Sequence, residues 1–258
     1  MLERLIGKTK PAKICHLAAY LGDYCEENPM EGLRINVDGF MNLLEIARQH
    51  NVSQVLFSSS LGTYGLDLRD DETLTEATLQ RSFSFYGITK LFAEGAGRFY
   101  ERKYGLDYRG IRYPAIVGPG VRAGGIVTYV SAMIEETAKG SPYTVRVGPD
   151  TRVPIVHVED GARAMMMLSR APVENIKKLT YLINGIRPTP SVSEMAEVVR
   201  QRILGATIEF DPNPDWDTIM KLSARPVDDT VARNEWSWRL QYDTYEKILD
   251  SYLAAIGH

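Results

Sequence analysis

The sequence predicts an α/β fold, a parallel sheet with crossover helices followed by a smaller α/β lobe. Three observations point to it. Strand-like and helix-like segments alternate over the first half at the spacing of βαβ units. From about residue 120 onward Gly and Pro become frequent, and helices alternate with short strands. The chain has 258 residues, 44% apolar and 24% charged, enough for one large domain or a core domain with an appendage.

The first strand is read over 13–19, "KICHLAA", an apolar run between Lys-Pro and a Gly-Asp turn. A helix follows, because Leu33, Val37, Phe40, Leu43, Leu44 and Ala47 recur at helical spacing. Residues 54–60, "QVLFSSS", form the next strand, and the acidic stretch 66–81 reads as a long loop. Ser82 or Ser84 caps a helix that runs to about Tyr104, where "KYG" closes it. A fourth apolar run, "DYRGIRYPAIVG", ends at Pro119 and Gly120. Beyond it, "TYVSAMIEETAKG" and "SVSEMAEVVRQRI" read as helices, "TYLING" and "TIEFD" as short strands.

The bulk numbers exclude several function classes. A net charge of −3 and a pI near 5.9 leave no electrostatic footprint for nucleic acid or an anionic membrane. Cys15 and Cys25 make no disulfide framework, and without paired Cys/His spacing no metal site is expected. No apolar run approaches the roughly 18 residues a membrane span needs. The opening "MLERLIGKTKPAK" lacks a signal peptide's apolar region, so a cytoplasmic setting is expected.

Tyr86 and Lys90 stand four apart in "SFYGITK", so on a helix they share one face. A phenol titrating near pH ~10 is a poor base at neutrality, and a neighbouring ammonium is expected to lower that value. Ser60 can hydrogen-bond the same substrate oxygen while its proton moves. Parallel sheets bind ligands outside the carboxyl ends of their strands, where Ser58, Ser60 and Pro114 to Ile116 fall. Alone, the Tyr-Lys spacing also describes an exposed helix face with the ring packed on a lysine stem. Asn36 reads either as a functional amide or as a helix-bending polar residue, and Arg152 as a surface cation or a ligand contact. His16 reads as a packed strand residue and Asp160 as the cap of the helix opening at "GARAM". Met165 to Met167 read as filler, and Trp216, Trp236 and Trp238 as packing of the C-terminal lobe.

The pieces "HLAA" (16–19), "NVDGFMNLLEIAR" (36–48), "VLFSSSLGTYG" (55–65), "YGITK" (86–90), "IRYPAIVGPG" (111–120) and "RVPIVHVEDGARAM" (152–165) occur in that order. With them the chain resembles the extended short-chain dehydrogenase/reductase family, which includes NAD-dependent epimerases and dehydratases. The resemblance implies a Rossmann-like doubly wound parallel sheet over 1–120, N-terminally incomplete. It implies a substrate-binding lobe over 121–258, some segments of which return to the core sheet. Ser60, Tyr86 and Lys90 are the implied catalytic residues. The implied cofactor is NAD, with NADP left open, lined by Leu17, Ala18, Asn36, Ser58, Tyr86, Lys90, Tyr113, Pro114, Ala115 and Ile116. Ser60, Gly125 and Arg152 are the implied contacts to a small-molecule substrate, in a homodimer. The implied reaction is hydride transfer from a secondary alcohol whose proton Tyr86 takes.

Such folds open with a strand running into a Gly-rich phosphate turn, and this sequence has none. "HLAAYLG" lies within the first 22 residues, whereas the family places it after two β-α units. Roughly 50 to 60 residues of the family pattern are therefore absent, and a chain lacking them should expose an apolar sheet edge and bind NAD weakly. The tail "ARPVDDTVARNEWSWRLQYDTYEKILDSYL" resembles that of short-chain L-threonine 3-dehydrogenases. Their substrate loop carries two hydroxyl residues where "GGIVTY" has Ile126 and Val127, which makes a related hydroxy acid or polyol the better expectation. Two alternatives stand beside it. One is a sugar-nucleotide epimerase or dehydratase, although Ala115 stands where such enzymes commonly carry Asn. The other is a non-catalytic relative that binds a partner through the open sheet edge.

Overall fold

In the computed structural model, which describes residues 1–69, 71–121, 126–223 and 225–258, the core is a four-stranded parallel sheet. The chain enters through helix α1 (Leu2–Thr9) and strand β1 (Lys13–His16). Short helices α2 (Gly22–Glu27) and α3 (Pro29–Gly32) lead through a π-helical turn, Leu33–Asp38, into α4 (Gly39–Gln49). Strand β2 (Gln54–Ser60), helix α5 (Phe85–Tyr104) and strand β3 (Asp107–Tyr113) complete the first half.

The second half holds β4 (Ala115–Val117), α6 (Tyr129–Ala138), β5 (Tyr143–Val145), β6 (Ile155–His157), α7 (Val158–Arg170) and β7 (Thr180–Leu182). It ends with α8 (Val192–Arg202), β8 (Ile208–Phe210), α9 (Pro214–Ser223), α10 (Thr230–Trp236) and α11 (Tyr245–Ile256). None of the described helices is long and apolar enough to cross a membrane.

The core sheet runs β1-β2-β3-β7, so a strand from the second half closes one side. Register pairs His16 with Phe57 and Ser60 with Tyr113. Among the described residues no strand pairs with the other edge of β1, and Cys15 and Leu17 are exposed there. Alternation along β2 sorts the core. Val55 and Phe57 pack with Phe40, Leu44, Tyr100 and Tyr108 under α4 and α5. Leu56 points to the opposite face, where Ile111 and Tyr181 meet Ala164 and Leu168 of α7 with Trp236 and Trp238. Helix α5 comes close to β3 because Gly97 lies against Tyr108, where a Cβ would stand 2.3 Å from the ring.

Four expectations from the sequence need correction. The first strand stops at His16, leaving Leu17 and Ala18 exposed beyond its end. The helix over the thirties is interrupted by the π-helical turn, which brings Asn36 into the protein at 4% exposure. The apolar run after 107 is two strands: Pro114, which has no N–H to donate, breaks it, and β4 leaves the core sheet to pair with β6. Asp160 does not cap α7. His157 occupies that position, its Nδ1 accepting the Glu159 N–H at 3.3 Å. Asp160 is instead fully buried within the first turn, pairing with Arg163 and accepting the N–H groups of Gln241 and Tyr242. It ties the C-terminal segment to α7.

Candidate active site

The site lies at the carboxyl ends of β2 and β3, facing the first turn of α5. Strand β2 ends in a run of three serines that do different things. Ser58 offers its carbonyl to Lys90 Nζ at 2.7 Å. Ser59 turns inward and donates to Glu94 Oε1 at 2.5 Å. Ser60 turns outward, and its Oγ accepts the Gly62 N–H at 3.0 Å as cap of a short 3₁₀ turn.

Helix α5 is brought onto this strand end by a backbone approach. At Gly87 a Cβ would stand 2.0 Å from the Gly62 carbonyl oxygen and 2.1 Å from Ser82 Oγ. Only glycine lets the first turn sit so close. Ser84 caps the helix, accepting the Gly87 N–H at 3.0 Å, and Glu26 of α2 accepts the Phe85 N–H at 2.6 Å. As a result Ser60 and Tyr86 meet over Gly62, where a Cβ would stand 3.3 Å from Ser60 Oγ and 3.7 Å from the Tyr86 ring. Lys90, one turn on, is 4% exposed with its Nζ 5.5 Å from the Tyr86 ring centroid and 4.9 Å from that of Phe57.

The electrostatics run against the expectation from sequence. Burial pushes the Tyr86 phenol up to about 12, a rise that the Ser60 side chain only moderates. Burial also holds the Lys90 ammonium down at about 8. The lysine thus stays charged at neutrality, but it sits over the rings rather than at the phenol oxygen, so the desolvation of Tyr86 dominates. No carboxylate pairs with Lys90 among the described residues. A buried ammonium with one carbonyl partner has donors to spare for ligand hydroxyls. The residues present therefore fit the sugar-bearing end of a nicotinamide cofactor.

Asn36 sits behind this pair. Its Oδ1 accepts the Tyr20 N–H at 2.8 Å, while its Nδ2 donates to the Tyr20 carbonyl at 3.0 Å and to Thr89 Oγ1 at 3.1 Å. Thr89 in turn donates to the Tyr86 carbonyl at 2.7 Å. One amide thus joins the loop after β1 to the turn carrying Tyr86. Cys25, fully buried, completes the cluster by donating to the Tyr20 carbonyl at 3.4 Å.

Ser60 and Tyr86 open into a crevice of about 300 Å³ that Tyr113, Pro114 and Ala115 also line. The remaining candidates scatter. Leu17 and Ala18 project from the exposed end of β1, and Ile116 packs against the core of α7. Arg152 stands outside the crevice, half-exposed and bound to Glu194 at 2.9 Å and to the Thr189 carbonyl. It lines an adjoining groove, with Arg187 and Arg225, that shares Pro154 with the crevice. Gly125 lies outside the described residues. The sequence reading missed Gly87, Thr89 and the buried Glu94, whose carboxylate binds Arg112 at 2.7 Å behind Ser59. A helical spacing of Lys90 and Glu94, four apart with both buried, is the signal that was there to find.

The sequence pattern of the NAD-dependent epimerase/dehydratase family matches residues 1–183. The chain belongs to this family. Curated relatives include bovine mitochondrial L-threonine 3-dehydrogenase, 28% identical over 248 residues, which cover 96% of this chain and 65% of that protein. An uncharacterised epimerase/dehydratase of Staphylococcus saprophyticus is 28% identical across 94% of this chain and 75% of its own length. Among solved structures, a GalE-like L-threonine dehydrogenase from Cupriavidus necator superimposes with a TM-score of 0.91 at 26% identity, covering 99% of this chain and 82% of that one. This member of the epimerase/dehydratase family therefore spans less than two thirds of the length of its bovine relative.

Proposed function

We propose that this chain carries the catalytic residues of an NAD-dependent oxidoreductase acting on a small secondary alcohol. The observation that carries the reading is the buried, carboxylate-free ammonium of Lys90 beside the ring of Tyr86, which lines one crevice with Ser60. Ser60 holds the substrate oxygen, and Tyr86 takes the proton from it. Lys90 fixes the sugar of the cofactor and adds a positive charge near the phenol. Asn36 and Thr89 hold the loop after β1 against the turn of Tyr86. Bound NAD supplies the hydride acceptor and, when oxidised, a second positive charge that favours the phenolate.

In this reading residues 1–120 serve the cofactor and residues 121–258 mainly the substrate, with Gly125 in the substrate loop. Leu17, Ala18, Ser58 and the 113–116 backbone border the cofactor, and NADP would fit the same residues. A homodimer in the cytoplasm completes it. Ile88, Phe92 and Phe99 make an exposed apolar stripe along α5, which supports self-association.

The test is Tyr86→Phe, read as NADH formation with the fastest alcohol found. Loss of a proton acceptor should lower kcat by roughly two to four orders of magnitude with the thermal transition unchanged. Near-normal turnover would reject the assignment. The arginine-lined groove favours a second reading, a sugar-nucleotide epimerase, in which Arg152, Arg187 and Arg225 face a diphosphate. Conversion of a UDP-sugar without net NADH would select it.

A further inference from the structure

The crevice that Ser60 and Tyr86 enter is also lined by Phe83, Val127, Val153, Pro154, Ile219 and Met220. Two carboxylates of α2, Asp23 and Glu26, line it as well. Among the described residues no Lys or Arg lines it. The arginines of the adjoining groove are engaged elsewhere: Arg152 with Glu194, Arg187 with Asp229, and Arg225 with the Arg69 carbonyl.

A hydroxy acid or an amino acid places a carboxylate within two or three bonds of its carbinol carbon. In this crevice that carboxylate would lie against aliphatic side chains with no cationic partner among the described residues, near two carboxylates. Burying an unpaired charge of that kind costs far more than such a site returns. An alkyl or aryl arm loses nothing on the same wall and gains by its burial. Asp23 is already crowded, its carboxyl raised above the usual range by burial and by the neighbouring Glu27 and Glu26. A positive group on the substrate would relieve it, whereas a negative one would add to the repulsion.

We infer that this site selects secondary alcohols whose groups beside the carbinol are apolar or cationic, and rejects short hydroxy acids, threonine among them. The inference rests on the oxidoreductase reading for its reaction and on the crevice walls for its selectivity. Val127, Ile219 and Met220 are then the residues that set specificity, and Asp23 sets the sign of charge accepted.

The test compares initial rates of NADH formation by the purified chain with 2-pentanol, 1-amino-2-propanol, 3-hydroxybutyrate and L-threonine. The neutral and cationic alcohols should exceed both acids by at least about tenfold in kcat/KM, the discrimination that ~1.4 kcal/mol provides. Asp23→Lys should narrow or reverse the gap between 2-pentanol and 3-hydroxybutyrate. Equal or faster oxidation of the acids would overturn the inference and leave the oxidoreductase reading standing. If no alcohol is oxidised, the proposed reaction falls, and calorimetry with 2-pentanone against acetoacetate decides the selectivity by itself. Tighter binding of the ketone supports it; tighter or equal binding of acetoacetate, or no binding of either, overturns it.

Discussion

Lys90 shows how a single buried charge shapes both chemistry and stability. Its folded pKa, about 8, lies below the ordinary 10.5. Below about pH 8 the side chain is charged in both states, and the full desolvation penalty opposes folding. As pH rises from about 8 to 10.5 the unfolded chain holds more protons than the folded one, so the contribution of Lys90 becomes steadily less unfavourable. Lys90→Met keeps the stem and removes the charge. Relative to the parent, this variant should gain roughly 3 kcal/mol below pH 8, with the gap closing by pH ~10.5, since each pH unit between the folded and unfolded titrations is worth ~1.4 kcal/mol. Denaturant midpoints measured across that range check it; a gap independent of pH would refute the buried ammonium. The comparison with the variant matters because Cys25 and Tyr86, both raised by burial, titrate nearby and act in the opposite sense. That Ser60, Tyr86 and Lys90 come together was legible in the sequence. The direction in which Tyr86 moves was not, because a four-residue spacing reports that two side chains share a face and says nothing about how much water reaches them.

At the scale of elements, the decisive contact is a backbone one. Helix α5 reaches Ser60 only because Gly87 lies on Gly62, with Ser82 donating to the Gly62 carbonyl at 2.7 Å. Gly87→Ala would be a good substitution for an isolated helix, worth up to ~1 kcal/mol in propensity. Here the added methyl meets backbone rather than a flexible side chain, so the turn must move. The expected result is a net loss of about 1 to 3 kcal/mol in stability. Ser60 and Tyr86 should move apart as well, with turnover falling at least tenfold, as displacing a reacting group by an ångström does. Chemical denaturation and steady-state rates test it together, and a stabilised, fully active variant would contradict the geometry. Helix α5 itself was readable from its Ser84 cap and Gly105 terminus, because both signals are local. The π-helical turn at Asn36 and the break at Pro114 were not readable as such. The first depends on the amide finding Tyr20 and Thr89, and the second on β4 pairing with β6, a partner about forty residues downstream.

Over the whole molecule, charges and apolar groups are arranged unevenly between inside and outside. The interior holds complete networks: Glu94 with Arg112 and Ser59, and Asp229 accepting from Arg187, Arg233 and the Trp238 indole. The second half of the chain is held to the core sheet by Arg109, which donates to the Leu168 and Ala171 carbonyls, and by Ser169, which donates to Gln54; β7 completes the order that the sequence only hinted at in "TYLING". The outer surface of α5, in contrast, presents Ile88, Phe92 and Phe99 at 49%, 48% and 41% exposure. Their positions follow helical spacing, and Gly95 between them would meet nothing if it carried a Cβ, so the stripe is open along its length. A continuous apolar helix face of this kind marks an association surface more often than solvent-facing decoration. Two such helices packed antiparallel about a twofold axis would bury each stripe against its copy, with Gly95 allowing the axes to approach. Phe92→Asp places a carboxylate near the centre of that contact and a second one opposite it. Light scattering should then find a dimer for the parent chain and a monomer for the variant at micromolar concentration. Because the substitution is on the outer face, the circular-dichroism spectrum should be unchanged. A parent chain that is monomeric would refute the association, and a variant that stays dimeric would place its surface elsewhere.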